Sequence, residues 1–214
     1  MKHSVVTSAG VDAALPPERI LSQARADFFV QGYSRFTMDA LAAELGMSKK
    51  TLYLHFAGKD AIIAAVIDHV AAEIRAEADA LLADRGLNLA EKLRAFIEGM
   101  MQRLGALGPA TLRDLQRFAP ALHRRLETVR ARTLPYVFGR FIEEGQSGGL
   151  IRSEVSPGFA TEFLLQAMQG LTQANVLERL HLAPRDVLAR AMDLYFGGLL
   201  TAAGRKQYEK LFPS

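Results

Sequence analysis

The sequence predicts an all-α protein, with a short N-terminal helical domain followed by a larger helical bundle. Apolar residues recur at the three- and four-residue spacing of helices, while the alternation that marks a β-strand is nowhere sustained. Prolines stand at the starts of the periodic segments, where the first turn of a helix tolerates a residue without an N–H. Half of the 214 residues are hydrophobic, which is enough to bury a sizeable core.

About nine helices are predicted from this periodicity and from the residues that cap or interrupt it. Their ranges are Pro17–Gln31, Met38–Leu45, Lys49–Phe56, Lys59–Asp84, Asn88–Leu107, Pro109–Phe118, Pro120–Glu144, Pro157–His181 and Pro184–Ala203. Pro135 falls inside the seventh range, where we expect a kink. The glycine-rich run 145–149 is predicted to be a flexible loop.

Composition excludes several kinds of site. The chain has no cysteine, which removes disulfides, thiolate nucleophiles and Cys-ligated zinc. Its longest apolar run, Ala61–Ile67, has seven residues, whereas a membrane-spanning helix needs about 20. No membrane partner is therefore expected, and without the apolar core of a signal peptide the expected location is the cytoplasm.

The sequence offers little for catalysis. His69 and Glu73 are four residues apart on a predicted helix, a spacing that suits a metal ion, but a third ligand at a suitable spacing is lacking. Glycine-rich phosphate loops and the nucleophile and zinc motifs of common enzyme families are lacking as well. We therefore expect no metal, no cofactor, no catalytic residue and no enzymatic activity.

Basic residues are concentrated in two regions, although the formal net charge is only +3. The region 46–59 contains three lysines and a histidine without one acidic residue. The region 112–140 contains seven arginines and two acidic residues. These arginines are expected to be mainly solvated, and one or two of them could receive an anionic group of a ligand.

Residues 36–56 predict a helix-turn-helix. Two short helices that cross through a tight turn need a small residue where they touch, which Ala42 supplies. Gly46 follows four residues later, at the turn, where φ is expected to be positive. Leu52 and Phe56 are four residues apart in the second helix and are expected to face the first helix.

Thr37 and Ser48 are placed to cap the two short helices. The outward side chains of the second helix are then Lys49, Lys50, Thr51, Tyr53 and His55. They are donors, cations and an amphipathic aromatic ring without a carboxylate, as a helix in the major groove requires. Lys59 opens the next helix, so its amine and the N-terminal amides of that helix could hold a phosphate together.

The N-terminal sequence closely resembles the DNA-binding domain of tetracycline-repressor (TetR) family regulators. The resemblance covers about residues 17–67 and is carried by segments 36–38, 45–56 and 59–60. It implies a three-helix head whose third helix enters the major groove. It assigns contact roles to Thr37, Ser48, Lys49, Thr51, Tyr53, His55 and Lys59. The family often has glycine or another small residue at position 50, so the resemblance leaves the role of Lys50 open.

Beyond residue 67 only the architecture matches this family, as a variable helical domain for ligand binding and dimerisation. We therefore divide the chain into a flexible tail at residues 1–15, a helix-turn-helix DNA-binding domain at 16–60, and a ligand-binding and dimerisation domain at 61–214.

The last two predicted helices indicate a homodimer. Apolar and small residues fill about half the circumference of the first of these helices and more of the second, whereas a surface helix that is buried from one side shows a narrower stripe. We therefore expect a four-helix interface between two subunits, although both helices could instead be central in one subunit. The predicted interface residues are Phe163, Ala167, Gly170, Leu171, Ala174, Tyr195, Gly198 and Leu199.

Aromatic and methionine side chains between the head and the interface suit an adaptable apolar pocket for a small molecule. The predicted pocket residues are Phe96, Met100, Leu104, Phe118, Leu122, Phe141, Phe163 and Met168. The alternative is that these residues form an ordinary core.

The expected function is a sequence-specific DNA-binding transcriptional regulator. We expect a repressor that a small, largely apolar effector releases from a palindromic double-stranded operator. The alternatives are a DNA-binding regulator without a small-molecule inducer, and a helical-bundle enzyme or binding module with a structural head.

Overall fold

The structure, a computed structural model, describes residues 17–104, 107–171, 173–182 and 184–211. These residues form eleven helices and one isolated β-bridge, between Ile151 and Leu200, which confirms the predicted all-α class. The helices are α1 Pro17–Gln31, α2 Met38–Glu44, α3 Lys49–His55, α4 Lys59–Ala83, α5 Leu89–Leu104, α6 Pro109–Phe118, α7 Pro120–Ser147, α8 Pro157–Leu171, α9 Ala174–Leu180, α10 Pro184–Leu199 and α11 Ala202–Leu211. Not one described helix is both long enough and apolar enough to cross a membrane.

The described residues fall into two compact units. The N-terminal unit contains residues 17–69 and 107–126, and the C-terminal unit contains residues 70–104 and the described residues from 127 to 211. Helices α4 and α7 contribute residues to both units. The N-terminal unit therefore includes α6, which the sequence division had assigned to the domain beyond residue 60.

The N-terminal unit is built on a core of fully buried apolar side chains from α1 to α4. The largest are Ile20, Phe28, Phe36, Leu41, Leu52, Ile62 and Ile63. Helix α6 packs on α1, where the buried Thr111 hydroxyl donates a hydrogen bond to the Phe29 carbonyl at 3.2 Å. The Asp114 carboxylate accepts the backbone N–H of Ser34 at 2.7 Å.

The C-terminal unit has an aromatic core. The fully buried Phe96 ring meets Phe138 edge to face and lies 5.3 Å from the Phe141 ring, centre to centre. The buried Lys92 ammonium donates to Glu144 at 2.7 Å and to the Leu82 carbonyl at 2.9 Å. This lysine therefore fixes the last turn of α4 against α5 and α7.

The predicted helix over 157–181 is wrong as a single element. Helix α8 ends at Leu171, and Gln173 is in an extended conformation as the N-cap of α9. Gly170, a residue of low helix propensity, lies one residue before the end of α8. The last predicted helix also ends early, at Leu199, because Leu200 pairs with Ile151. The chain then starts α11, which the sequence interpretation had missed.

The prediction of a flexible loop at 145–149 is wrong in its first half. Helix α7 continues through Pro135 as far as Ser147, so Gly145 lies within it. A Cβ added at Gly145 would lie 2.5 Å from the Ile151 side chain, so this glycine permits close packing and does not provide flexibility. Gly149, with φ of +68°, makes the turn.

Candidate nucleic-acid interface

Hydroxyl groups cap both helices of the helix-turn-helix, as predicted. The Thr37 side chain accepts the backbone N–H of Ala40 at 3.2 Å and begins α2. The Ser48 side chain accepts the backbone N–H of Thr51 at 3.1 Å and begins α3. The hydroxyls of Ser48 and Thr51 also lie 2.8 Å apart, so they form one hydrogen-bonded pair at the start of α3.

The turn between α2 and α3 has the predicted geometry. Gly46 has φ of +66°, the left-handed conformation that glycine adopts at little cost. Ala42 is buried, and its carbonyl accepts the backbone N–H of Met47 at 3.0 Å across the turn. These local features set the angle at which α3 leaves the turn.

Leu52 fixes which side of α3 faces outward. It is fully buried, whereas Phe56 is half-buried at the C-cap. At about 100° per residue, the positions nearest to the opposite side of the helix are 50 and 54. Lys50 is exposed, as predicted, and Leu54 is 78% exposed. Sequence analysis missed Leu54, although the helical spacing from Leu52 was a signal that could have found it.

The remaining predicted side chains surround this outward direction. Lys49 and Tyr53 are exposed, and Thr51 and His55 are half-buried. Helix α3 carries no acidic residue, but Asp39 of α2 forms an ion pair with Lys49 at 2.5 Å. The expectation of a carboxylate-free face therefore holds for α3 and not for its neighbour. Because both partners are more than half exposed, a phosphate could displace this carboxylate at little cost.

Lys59, the first residue of α4, is surrounded by groups that sequence analysis did not find. Its ammonium lies 4.0 Å from the centre of the Tyr33 ring. Burial lowers the pKa of Lys59, while the charges of Asp60 and Asp114 act in the opposite direction. The Tyr33 hydroxyl donates to Asp60 at 2.7 Å, and burial together with this bond raises the pKa of Tyr33 to about 12. The ammonium of Lys59, the predicted phosphate-binding group, is therefore held in place by the Tyr33 ring.

The predicted interface residues in the C-terminal unit are partly exposed. Phe163 is exposed, and its ring is stacked with the ring of the buried Tyr195, with 6.4 Å between the ring centres. The Tyr195 hydroxyl donates to the Ala160 carbonyl at 3.0 Å. A Cβ added at Gly170 or Gly198 would meet no atom of the described chain within 4 Å. Of the other predicted residues, Ala167 and Leu171 are half-buried, Leu199 is buried, and the side chain of Ala174 lies outside the described residues.

Two further exposed apolar residues belong to the same helices. Phe159 of α8 and Leu194 of α10 are both highly exposed, and neither was among the predicted interface residues. The rings of Phe159 and Phe163 lie 6.5 Å apart. We name the set Phe159, Phe163, Gly170, Leu194 and Gly198 the α8–α10 face.

The predicted pocket residues are divided between the two units. Phe118 and Leu122 belong to the N-terminal unit, and Phe118 is exposed with the Arg117 guanidinium 5.2 Å from its ring centre. In the C-terminal unit, Phe96 and Phe141 lie in the aromatic core, Met100 and Met168 are half-buried, and Phe163 is on the α8–α10 face. The side chain of Leu104 lies outside the described residues.

One small cavity lies beside α5 and α11 in the C-terminal unit. Its lining residues are Leu89, Ala90, Leu93, Leu150, Leu200, Gly204, Gln207 and Tyr208, none of which had been predicted as a pocket residue. Within the described part of the chain, groups of three or more His, Asp or Glu side chains that could hold a metal ion are not found.

The comparison with protein families concerns the N-terminal unit. The family described as bacterial regulatory proteins, tetR family, matches residues 20–66, which contain most of α1, the helix-turn-helix and the beginning of α4.

Similar proteins of known sequence are transcriptional regulators. The chain is 32% identical to the HTH-type transcriptional regulator YvaF of Bacillus subtilis over 101 residues, which are 47% of this chain and 53% of YvaF. It is 24% identical to the HTH-type transcriptional repressor DhaR of Mycobacterium sp. over 179 residues, which are 81% of this chain and 86% of DhaR. The matched residues thus span about half the length of YvaF and most of DhaR.

Solved structures share the fold of most of the chain. SmeT, the repressor of the Stenotrophomonas maltophilia multidrug efflux pump SmeDEF, has a TM-score of 0.62 at 19% identity, and the match covers 88% of this chain and 92% of SmeT. SmeT is also solved as a complex with triclosan, which matches with a TM-score of 0.61 at 20% identity over 87% of this chain and 92% of that one.

Proposed function

We propose that the chain is a DNA-binding regulator of the TetR family, a repressor that binds a palindromic operator as a homodimer; the match of residues 20–66 to that family and the similarity to YvaF support this proposal. The observation that carries this proposal is the orientation of α3. Because Leu52 is buried and Ser48 caps the helix, α3 presents two lysines, a tyrosine and no acidic side chain outward. Such a face suits the major groove, where phosphates line the path and base edges offer mostly acceptors.

The proposal gives the predicted side chains different roles. Lys49 and Lys50 reach base edges or phosphates, while Tyr53 and His55 lie at the sides of the groove. The hydroxyls of Thr37 and Ser48 keep their capping bonds, and together with the Thr51 hydroxyl they use their remaining hydrogen-bonding capacity on the DNA backbone. Lys59 and the N-terminal amides of α4 bind a phosphate. Because its DNA target lies in the cytoplasm, the proposal places the protein there.

Dimerisation is proposed through the α8–α10 face. A monomer exposes the side chains of Phe159, Phe163 and Leu194. Burial of these apolar side chains by a second copy lowers the free energy and so stabilises a dimer. The open space above Gly170 and Gly198 permits helices of a second copy to approach closely. Two heads related by a two-fold axis then read two half-sites about one helical turn, ~34 Å, apart.

The effector is proposed to be a small, largely apolar molecule that binds in the C-terminal unit. SmeT, which shares the fold, forms a complex with triclosan. The proposed contacts are Phe96, Met100, Phe141 and Met168, which all belong to that unit. Helix α4 begins at the phosphate-binding Lys59 and contributes its second half to the C-terminal unit, so a shift of α4 would change the DNA-binding geometry. The effector must bind the DNA-incompetent state more tightly, because equal affinity for both states changes nothing.

Selection of duplexes from a random pool with the full-length protein tests the DNA-binding part of the proposal. We expect an inverted repeat with half-site centres about 34 Å apart. Affinity should fall steeply with salt, because lysines at phosphates displace counterions. A pool from which the protein enriches no inverted repeat would contradict the proposal.

A panel of small apolar aromatic molecules, added to the complex with the selected duplex, tests the effector. A tenfold loss of operator affinity corresponds to about 1.4 kcal/mol of coupling, and the duplex must weaken ligand binding by the same factor. Met100→Trp, which fills the site, should abolish this response and leave binding to the duplex near normal. A panel without any responding molecule would indicate a regulator that has no small apolar effector.

A further inference from the structure

We propose that Leu54 is a specificity-determining residue that reads the 5-methyl group of a thymine in each half-site. This inference rests on the proposed function and adds to it a named base and a named chemical group. It concerns a residue that neither the sequence pattern nor the resemblance had assigned to DNA contact.

The geometry of α3 places Leu54 at the centre of the outward side. Leu52 is completely buried and so marks the inward direction of the helix. Positions 50 and 54 are two residues away on either side, so both lie about 20° from the direction opposite to Leu52. Lys50 and Leu54 are also four residues apart, which makes them neighbours on one face. Leu54 therefore points where α3 would meet the floor of the groove.

Exposure alone does not distinguish Leu54, because single apolar residues are common on protein surfaces. Val30 of α1 is equally exposed, at 78%. Leu54 differs from Val30 because it lies in the middle of the outward side of α3, the helix proposed to enter the major groove. A leucine side chain has no donor or acceptor and cannot read a base by hydrogen bonding.

The major groove offers one apolar group on the base edges, the C5-methyl of thymine. Contact of a leucine side chain with that methyl group removes apolar surface from water and strengthens binding. Contact with a polar base edge strengthens binding less. Lys50, its neighbour, can reach the acceptors O6 and N7 of a guanine. The pair of side chains thus favours a thymine at one position of each half-site and permits a guanine close to it.

Replacement of thymidine by deoxyuridine tests the inference, because their bases, thymine and uracil, differ only in the 5-methyl group. The inverted repeat selected by the full-length protein is remade with deoxyuridine at each thymine in turn, symmetrically in both half-sites, and affinities are measured by fluorescence anisotropy at constant salt. For the wild type we expect one position at which the loss of the methyl group weakens binding about fourfold per half-site. Leu54→Ala should bind the thymine and deoxyuridine duplexes of that position equally well.

Two control variants separate the methyl contact from other effects. Val30→Ala removes an equally exposed apolar side chain from α1 and should retain the wild-type response to deoxyuridine. Leu54→Met keeps a long apolar side chain and should retain most of the response. Because Leu54 is exposed, all three variants should unfold at temperatures close to that of the wild type, measured by circular dichroism.

The outcomes also separate this inference from the proposed function. A wild type that binds its inverted repeat but responds to deoxyuridine at no position would overturn the role of Leu54 and leave the function intact. A repeat without thymine in its half-sites, or a Leu54→Ala variant with the wild-type response, would overturn it as well. Failure to enrich any inverted repeat would overturn the proposed function, and the role of Leu54 with it.

Discussion

The carboxylate of Asp114 accepts a hydrogen bond from the backbone N–H of Ser34 at 2.7 Å, and this bond ties α6 to the turn between α1 and α2. The same carboxylate lies against Gly32, where an added Cβ would be 2.9 Å from Oδ2. Gly32 has φ of +80°, a conformation that favours glycine, and any other residue there would also have to displace the Asp114 carboxylate. The turn that leads into the helix-turn-helix is therefore held by a helix 80 residues further along the chain.

Asp114→Asn should make the stability of the protein less dependent on pH. Burial acts to raise the pKa of Asp114, but hydrogen bonds from Ser34 and the backbone of Tyr33, with the charge of Lys59, hold that pKa below its ordinary value. Such a carboxylate stabilises the folded state above its unfolded pKa, and the stabilisation is lost as pH falls through the folded pKa. Between about pH 7 and about pH 3, the unfolding temperature should therefore fall less in the variant than in the wild type.

Asparagine keeps an acceptor for the Ser34 N–H, so this variant tests the charge and not the hydrogen bond. Glu18→Gln, at an exposed position in the first turn of α1, is the matched control and should follow the wild-type curve. If the unfolding temperatures of the wild type and Asp114→Asn fall in parallel as the pH is lowered, Asp114 has the same pKa in the folded and the unfolded state.

Lys59→Ala should weaken binding to all duplexes by a similar factor. A contact to phosphate carries no sequence information, so the selected repeat and a scrambled duplex should be affected alike. The slope of log affinity against log salt should become shallower by about one per head. Lys50→Ala is the comparison, because a residue at base edges should change the preferred sequence. A Lys59 variant that loses only the selected repeat would contradict the phosphate role.

Gly170→Leu should convert the dimer to a monomer without unfolding it. Within the described chain an added Cβ at Gly170 meets nothing, so the subunit itself has room for a larger side chain. A second copy packed on the α8–α10 face has no such room, and overpacking of a close contact is destabilising. Analytical ultracentrifugation at micromolar concentration should show the wild type as a dimer and the variant as a monomer with reduced affinity for the repeat.

The matched control for this prediction is Gly139→Leu. Gly139 lies in α7, and a Cβ there also meets no atom of the described chain within 4 Å, but it is not part of the α8–α10 face. We expect Gly139→Leu to remain dimeric. A wild type that sediments as a monomer at micromolar concentration would show that the α8–α10 face is not a subunit interface.

Lys92→Met should lower the free energy of unfolding by about 2 kcal/mol, measured by urea denaturation. The variant leaves the Leu82 carbonyl and the Glu144 carboxylate without the buried ammonium that both contact. The expected loss is below that of a fully buried ion pair, because a third of the Glu144 side chain is exposed. Adding Glu144→Gln to Lys92→Met should restore part of the stability.

The exposed pair Arg94–Glu98 provides a control in the same helix. Its charged atoms are 3.7 Å apart, and both side chains are more than a third exposed. Arg94→Ala should change the free energy of unfolding by roughly 0.5 kcal/mol or less. If Lys92→Met costs no more than Arg94→Ala, the ammonium of Lys92 does not stabilise the end of α4.

The sequence was sufficient for those features of the site that depend on neighbouring residues. The caps at Thr37 and Ser48, the positive φ of Gly46 and the burial of Leu52 each follow from residues within one or two helical turns. Leu54 was missed for the opposite reason, because its apolar side chain suggested burial although its spacing from Leu52 pointed outward. In this case periodicity was the better guide than hydrophobicity.

Contacts between distant segments could not be predicted. Nothing near Ser34 in sequence indicates that Asp114 binds its N–H, or that Thr111 binds the carbonyl of Phe29. Gly145 was interpreted as flexible because its close contact with Ile151 depends on how α7 meets the segment that follows it. A single sequence shows which residues are present, but it does not show which distant residues come into contact.

The N-terminal unit is made from two stretches of chain, with residues 70–104 of the other unit between them. This discontinuity limits how such regulators can be recombined. A chimera with a single crossover after residue 69 would combine α1–α3 of one parent with α6 of the other. The bonds made by Thr111 and Asp114 would then join surfaces that had not evolved together. Exchange of the N-terminal unit between two such proteins therefore needs two grafts, one for residues 17–69 and one for the α6 segment that packs on α1.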